Sequence, residues 1–383
     1  MAANCGCPAM NTSSPATSSL SSRSVASADL PSRLRCVRKL LSALVYTPER
    51  KYDKLEAAVK AANIPFRLNK PLGSGKKSRA DMNLERRAYT FFTYSKLVVL
   101  YRNLISQQKV IASERAFLLK KIAITIQALV DICFEDDHTF LGVSAVKSGE
   151  AYAVHHAANV AILAIALGEK LGFSKVELAD IGMGAVFHDV GLRDCPADIL
   201  MRPDPLDPKD RTLIEQHPMK SVEFLLNQRS FSKSTLSQIV VAFEHHRNYD
   251  GSGYPFGSRR PDIFSRIVTI ADVYDAMTTQ RPWRNAFMPD ETLGKMSRDA
   301  GRHFDPALMK VFVNTLGLFP VGTLIRIDSG DLGVVIYGGG EGERLSRPTP
   351  AGAYRWSIVM TEDPRKFGIQ PSGIIAAAAG VEQ

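Results

Sequence analysis

Apolar positions along the chain repeat mostly at helical spacing. Leu40, Leu41, Leu44, Leu55 and Val59 predict a helical stretch from Leu34 to about Ala62. Residues 68–83 collect Pro, Gly, Ser and basic side chains and read as a loop or linker. Helices resume from about Leu84 to Cys133, with Phe91, Tyr94, Leu97, Val98 and Tyr101 marking one buried face. Residues 150–316 are strongly helical, with Pro-rich and Gly-rich breaks. The predicted helices there include an amphipathic one from Ala151 to Leu171, then Leu178–Phe187, Leu236–Phe243 and Ile267–Ala276. After Pro320 the period shortens. Thr323–Ile327 alternates, Ser329-Gly330-Asp331 turns, Leu332–Tyr337 resumes as a strand, and Tyr354–Met360 makes a third.

These elements predict a mainly α protein in four parts. Residues 1–30, rich in Ser and Ala, read as a disordered tail; 31–149 form a basic helical region; 150–316 form a helical domain; 320–383 form a small β appendage. No internal repeat stands out.

Charge sharpens the division. Residues 1–125 carry 22 Lys and Arg against 7 Asp and Glu, whereas the remainder carries 26 against 32. A basic front half can meet nucleic acid, an anionic surface or an acidic protein. No aromatic-basic or DNA-reading motif accompanies it, so a solvated helical surface is the reading adopted and nucleic acid is not an expected partner. The string Gly73-Ser74-Gly75-Lys76-Lys77-Ser78 lacks the spacing and the preceding strand of a phosphate loop. The apolar run around Val160–Leu167 is too short to span a bilayer, and the first thirty residues lack a signal pattern, so the expected location is cytoplasmic. Cys5, Cys7, Cys36, Cys133 and Cys195 are odd in number and read as reduced thiols.

Candidate chemistry lies in the helical domain. Five of the eight histidines fall in one ordered series with two carboxylates: His156, His188-Asp189, His217, His245-His246 and Asp272. Imidazole and carboxylate suit iron, manganese, zinc or similar ions, and two such ions close together hydrolyse phosphate esters. His156 lies early in its helix and can point inward; His155 is turned about 100° away and reads as a neighbour or surface histidine. An Asp at position 189 can bridge two ions while His188 binds one. His217-Pro218 is expected to close a helix, and His245-His246 to end one with diverging rings that serve different ions. Asp272 on an apolar helix would be costly to bury without a partner. Any one of these residues has an ordinary structural explanation; all seven in this order are poorly explained that way.

The motifs that carry these residues resemble the HD-GYP domain, a branch of the HD phosphohydrolase superfamily. The likeness rests on His188-Asp189-Val190-Gly191, His245-His246 and Asp250-Gly251-Ser252-Gly253-Tyr254-Pro255. It continues through Ala271-Asp272-Val273-Tyr274-Asp275-Ala276, Arg281-Pro282-Trp283-Arg284 and Phe304-Asp305-Pro306, covering about residues 150–316. The resemblance implies an all-helical domain with a centre of two or three divalent ions, iron or manganese with zinc also suited, held by the seven residues above. It implies hydrolysis of a cyclic dinucleotide, chiefly cyclic di-GMP, to the linear dinucleotide and then to mononucleotide. His188 and Asp189 would be the catalytic pair. Gly253, Tyr254 and Pro255 would form the loop beside the substrate, with Asp275, Arg281 and Arg284 lining its nucleotide side, where an Arg fork suits phosphate or a guanine edge.

Three departures qualify this. The family's usual Lys two residues after the Val of the HD motif is Leu192 here, and Arg193 next to it would point elsewhere. The residue after the His pair, commonly Glu, is Arg247, and the segment between Gly257 and Arg266 is shorter by two residues. The Glu that would serve a third ion is replaced by Tyr152, with Glu150 two positions too early, so two ions are expected. Leu192 and Arg247 leave open a weakly catalytic sensor that binds the dinucleotide and signals through its N-terminal helices, as a homodimer or to a partner. A mixed cyclic GMP–AMP substrate also stays open.

Overall fold

The computed structural model describes residues 79–106, 112–135, 137–145, 152–227, 233–255, 259–281, 284–317, 319–335 and 358–368. The tail, the 34–62 helix, residues 68–78, Glu150 and the Pro282-Trp283 pair lie outside the described residues.

The chain begins with α1 (Arg79–Ser106), α2 (Ala112–Glu135) and the short α3 (Asp137–Val143). Helix α1 starts at Arg79, five positions before the expected Leu84. Its first turns hold Arg, Ala, Asp, Met, Asn, Leu and Glu, with neither Gly nor Pro. The Pro, Gly and Ser that suggested a loop over 68–83 all lie before position 79, so nothing from Arg79 onward breaks the helix. The face expected to be buried is buried: Phe91, Tyr94, Leu97, Val98 and Tyr101 are all sealed from solvent.

Helix α4 (Tyr152–Lys170) is the centre of the fold. It packs against α5 (Lys175–Phe187), α10 (Ile263–Thr278), α12 (Pro306–Leu316) and α1. Every residue from Val154 to Gly168 is buried, so this helix is enclosed on all sides and is not the amphipathic helix expected. Small residues make that possible. Ala157, Ala158, Ala161, Ala164 and Ala166 let neighbouring helices approach from every side. His155, His156 and Asn159 lie within this sealed stretch, so each needs a polar partner inside the core.

A capping box between Ser174 and Glu177 starts α5, which leads straight into the short helical turn Val190–Asp194. Then come α6 (Ala197–Leu200), α7 (Pro208–Ile214), α8 (His217–Leu226), α9 (Lys233–Glu244), α10, α11 (Pro289–Arg298) and α12. Asp207, Asp262 and Asp305 accept backbone N–H bonds at the starts of α7, α10 and α12. His217 opens α8 rather than closing a helix. Pro218 explains the difference: in the first turn of a helix its missing N–H costs nothing and its fixed φ is already helical.

Strands β1 (Leu324–Ile327), β2 (Leu332–Val334) and β3 (Ile358–Glu362) form an antiparallel sheet in the order β2-β1-β3. Leu324 pairs with Val334 on one side and Glu362 on the other. The second strand ends at Val334, before the expected Tyr337, and the third runs on to Glu362, past the expected Met360; residues 354–357 lie outside the described residues. Leu324 and Ile325 are buried, and Thr361 Oγ1 donates to Asp290 Oδ2 on α11 at 2.9 Å. No helix among the described residues is long and apolar enough to cross a membrane.

Candidate metal centre

The ends of α5 and α9, the start of α8 and the interiors of α4 and α10 meet at one point. Asp189, just past α5, occupies its middle. Its Oδ1 lies 3.1 Å from His217 Nε2 and 3.4 Å from His245 Nε2. Its Oδ2 lies 3.3 Å from His188 Nε2 and 3.9 Å from His156 Nε2. One carboxylate thus faces two sets of histidines, one with each oxygen. Asp272 joins the second set, its Oδ1 at 3.0 Å from His156 and 3.9 Å from His188.

Two overlapping groups result: Asp189, His217, His245 and His246 in one, His156, His188 and Asp189 in the other, each with donor atoms within 4.8 Å of one another. His245 and His246 therefore stand in the same group, not in different ones. Helix α9 stops at Glu244 and the chain turns, so consecutive rings are not splayed by helical rotation; their centroids are 4.1 Å apart.

The histidines are held from behind. His188, His217 and His245 donate Nδ1–H to the carbonyls of Ala185, Ile214 and Ala242 at 2.6, 2.8 and 3.0 Å. His156 donates Nδ1–H to Asp275 Oδ2 at 2.7 Å. Each of these four rings turns its Nε2 inward, the orientation that metal-ligating histidines adopt. Asp275 therefore backs a candidate ligand instead of lining the nucleotide side, where it was expected. It sits one helical turn after Asp272 on α10, pointing to the far side of the His156 ring.

The arrangement fits a cation. His217 Nε2 and His245 Nε2 face each other at 3.1 Å, two lone pairs with nothing between them. His188 Nε2 and Asp189 Oδ1 are buried with no well-aligned hydrogen bond. A positive ion satisfies all of these atoms together, and N and O donors of this kind suit divalent transition metals.

Electrostatics agree with this. Burial pushes the Asp189 carboxyl up, but the surrounding histidines, His188 first among them, hold it well below its ordinary value. Asp272 is likewise held down, against burial, by His156 and His188. Burial, joined by the neighbouring rings, keeps His246 and His245 below the ordinary histidine value. His156 goes the other way. Burial opposes its charge, yet Asp272 and Asp275 outweigh it and raise the ring to about 9.

The loop side is set by Gly253 and Tyr254. Tyr254 stacks on His246 with centroids 4.6 Å apart, and its N–H donates to His246 O at 3.3 Å. Gly253 has φ +91°, and a Cβ there would lie 2.3 Å from His246 O. Pro255 follows through a cis peptide. Arg281 lies over the Tyr152 ring at 4.1 Å and bonds its hydroxyl, while Tyr152 stacks on His156 at 4.7 Å. Arg284 donates Nη2–H to Ala276 O at 2.7 Å and so caps the end of α10.

Arg193 does turn away, as expected. It donates to Leu104 O on α1 at 3.3 Å and lies over Phe224, so it does not replace a cation at Leu192. Arg247 is buried and pairs with Glu244 at 3.3 Å, its backbone bridged to Gly253. Four supporting residues were not singled out from sequence: Asn159, Ser221, Glu244 and Thr269. Ser221 Oγ accepts from Gly191 N at 2.8 Å and donates to His188 O at 3.0 Å. Glu244 accepts from Asp262 N, and Thr269 Oγ1 donates to His245 O. Asn159 carried a usable signal, a lone amide one helical turn from His156 within an apolar run.

A family model for the HD domain matches residues 143–308, which span the whole cluster. Residues 143–308 form an HD domain, and the chain is similar in fold to a protein of the HD-GYP type. Among curated relatives, the chain is 33% identical over 201 residues to a cyclic di-GMP phosphodiesterase of Pseudomonas aeruginosa, covering 52% of this chain and 48% of that one. It is 29% identical over 240 residues to a cyclic di-GMP phosphodiesterase of Thermotoga maritima, covering 62% and 63%. It is 31% identical over 174 residues to a 3'3'-cGAMP-specific phosphodiesterase of Vibrio cholerae, covering 44% and 33%. The chain spans about half the length of the curated relatives it matches. Among solved structures, an HDG"Y"P protein from Bdellovibrio bacteriovorus shares the fold at TM-score 0.51 and 16% identity, covering 69% of this chain and 78% of that one.

Proposed function

We propose that this chain hydrolyses a cyclic dinucleotide, cyclic di-GMP first among them, at a centre of two divalent ions. The observation that carries the reading is Asp189, whose two oxygens face two separate histidine groups. His217, His245 and His246 would hold one ion, His156, His188 and Asp272 the other, with Asp189 shared between them. Two such ions supply Lewis acidity at a phosphoryl oxygen and lower the pKa of water enough for a nucleophile near neutral pH, whether they are iron, manganese or zinc.

The rest falls to the chain itself. Four histidines are kept in one tautomer and orientation by their Nδ1–H bonds, so their Nε2 atoms need no reorganisation. Tyr254 offers an aromatic face beside His246 on which a base or sugar can pack, and Gly253 gives the backbone that brings it there. Arg281 is held over Tyr152, which itself stacks on His156, and its guanidinium would be the phosphate contact on this side. The names of the relatives, which act on cyclic di-GMP or on 3'3'-cGAMP, support the substrate class.

One observation favours a second reading. With Leu192 uncharged and Arg193 committed to α1, no cation follows the HD motif on the substrate side. A chain that binds the dinucleotide and cleaves it poorly would act as a sensor. Turnover of cyclic di-GMP by anaerobically purified protein supplied with Fe(II), Mn(II) or Zn(II) separates the two. Linear product with about two ions per chain, lost in the His188→Ala/Asp189→Ala double variant, supports the hydrolase. Metal and nucleotide binding without product selects the sensor.

A further inference from the structure

A continuous buried hydrogen-bond chain runs from α1 in the N-terminal region to His156. It starts at Tyr94, which is fully buried. The Tyr94 hydroxyl donates to Asn159 Oδ1 at 2.8 Å, Asn159 Nδ2 donates to Asp275 Oδ1 at 3.0 Å, and Asp275 Oδ2 accepts from His156 Nδ1 at 2.7 Å.

The proton positions in this chain follow from chemistry. An ionised carboxylate only accepts, so Asn159 must turn its NH2 towards Asp275. Its carbonyl oxygen then faces Tyr94, whose single proton must point at it. His155 Nδ1, 3.0 Å from the same hydroxyl, must in turn be a donor. Every donor in the series therefore points towards the Asp275 carboxylate. Linked donors polarise one another, so the Tyr94 bond strengthens the Asn159 N–H that holds Asp275. Without it, Asn159 could rotate its amide and leave Asp275 with one fewer fixed partner.

We infer that Tyr94 is a positioning residue of the metal centre. It acts through Asn159 and Asp275 to fix the ring that presents Nε2 to the ion, which makes α1 part of the centre although the HD-domain match begins only at residue 143. A second tie runs the same way. Leu104 O on α1 accepts from Arg193, in the turn that follows Asp189. A shift of α1 would therefore reach both sides of the ligand set, giving the N-terminal region a physical route to the site. This rests on the reading that His156 holds a metal ion.

The test uses the full-length chain and Mn(II) affinity measured by competition with a chelator, with Co(II) absorption as a second readout. Tyr94→Phe keeps the ring and its packing and removes only the hydroxyl. Its Mn(II) affinity is expected to fall on the order of tenfold, at the lower end of what supporting partners contribute. The unfolding midpoint of the metal-free protein should fall by a few degrees, because Asn159 and His155 lose a buried partner; its Co(II) bands should shift as well, which a loss of packing alone would not produce. Asn159→Ala interrupts the same series, so the double variant should lose no more than the weaker-binding single variant. Affinity in Tyr94→Phe within twofold of the unmodified chain, or losses that multiply in the double variant, would overturn the inference while leaving the metal centre standing. An unmodified chain that takes up no Mn(II) or Co(II) would overturn the metal reading and this inference together.

Discussion

Gly191 lies against the backbone of His217: a Cβ at position 191 would meet His217 O at 2.3 Å and Ser221 N at 2.6 Å. These are backbone atoms, which cannot rotate out of the way. The absent side chain lets the turn after Asp189 sit flush on the start of α8, where Gly191 N also donates to Ser221 Oγ. Gly191→Ala must push α8 outward and carry His217 away from Asp189. Overpacking of this kind costs about 1–3 kcal/mol, and a domain of this size loses roughly 2–4 °C per kcal/mol. The expected result is a lower melting temperature together with weaker metal binding. A variant with unchanged melting and full metal content would show that the two segments are not in contact.

The position of Asp275 makes a sharper distinction. A residue on the nucleotide side would change KM when altered; a residue behind His156 changes metal retention. Asp275→Asn keeps the shape but replaces the carboxylate that accepts His156 Nδ1–H. Metal affinity should fall by about 10–100-fold, with KM for the dinucleotide nearly unchanged once metal is saturating. Chelator competition and steady-state kinetics on one preparation decide it. A raised KM at full metal content would return Asp275 to the substrate side.

At Gly253 two constraints coincide. Its φ of +91° disfavours any side chain, and a Cβ would crowd His246 O. Gly253→Ala should displace Tyr254 from its stack on His246. The stack itself is worth roughly 0.5–1.5 kcal/mol, so Tyr254→Ala should weaken dinucleotide binding by about two- to tenfold while Tyr254→Phe retains most of it. Metal content should hold in Tyr254→Ala, since the ring lies beside the ligands and is not one of them.

Much of this was legible in the sequence because it is periodic or chemically distinctive. Helical spacing marked the buried face of α1, and the ordered histidines and carboxylates marked the residues that the fold brings together. What stayed hidden depended on direction rather than identity. Asp275 and Asp272 lie one turn apart on α10, and only packing shows that one faces the histidine cluster and the other the back of His156. Pro218 is compatible with either end of a helix, so His217 could not be placed at a start. Helix α4 read as amphipathic because His155, His156 and Asn159 are polar. In the fold that polarity is answered from inside, by Tyr94, Asp272 and Asp275 on neighbouring helices.

Metal uptake should be linked to protons through His156. Without metal, its ring is raised to about 9 because the hydrogen bonds to Asp272 and Asp275 outweigh burial. The ordinary histidine value is about 6.5. A raised value means that the protonated ring stabilises the metal-free fold, fully below about pH 6.5 and less and less as pH rises through about 9. A metal ion needs the neutral ring, so uptake below about pH 9 must expel this proton. Against burial, Asp189 and Asp272 raise His188 as well, so it adds to the release, whereas His245 and His246 are held below the ordinary value. Calorimetric titration with Mn(II) in buffers of different ionisation enthalpy should therefore show about one proton or more released per chain at about pH 7.5, fading above about pH 9. Asp275→Asn, which takes away one of the two carboxylates holding that proton, should shrink the release at the same pH. A release that is absent near neutrality would mean that His156 does not meet the ion.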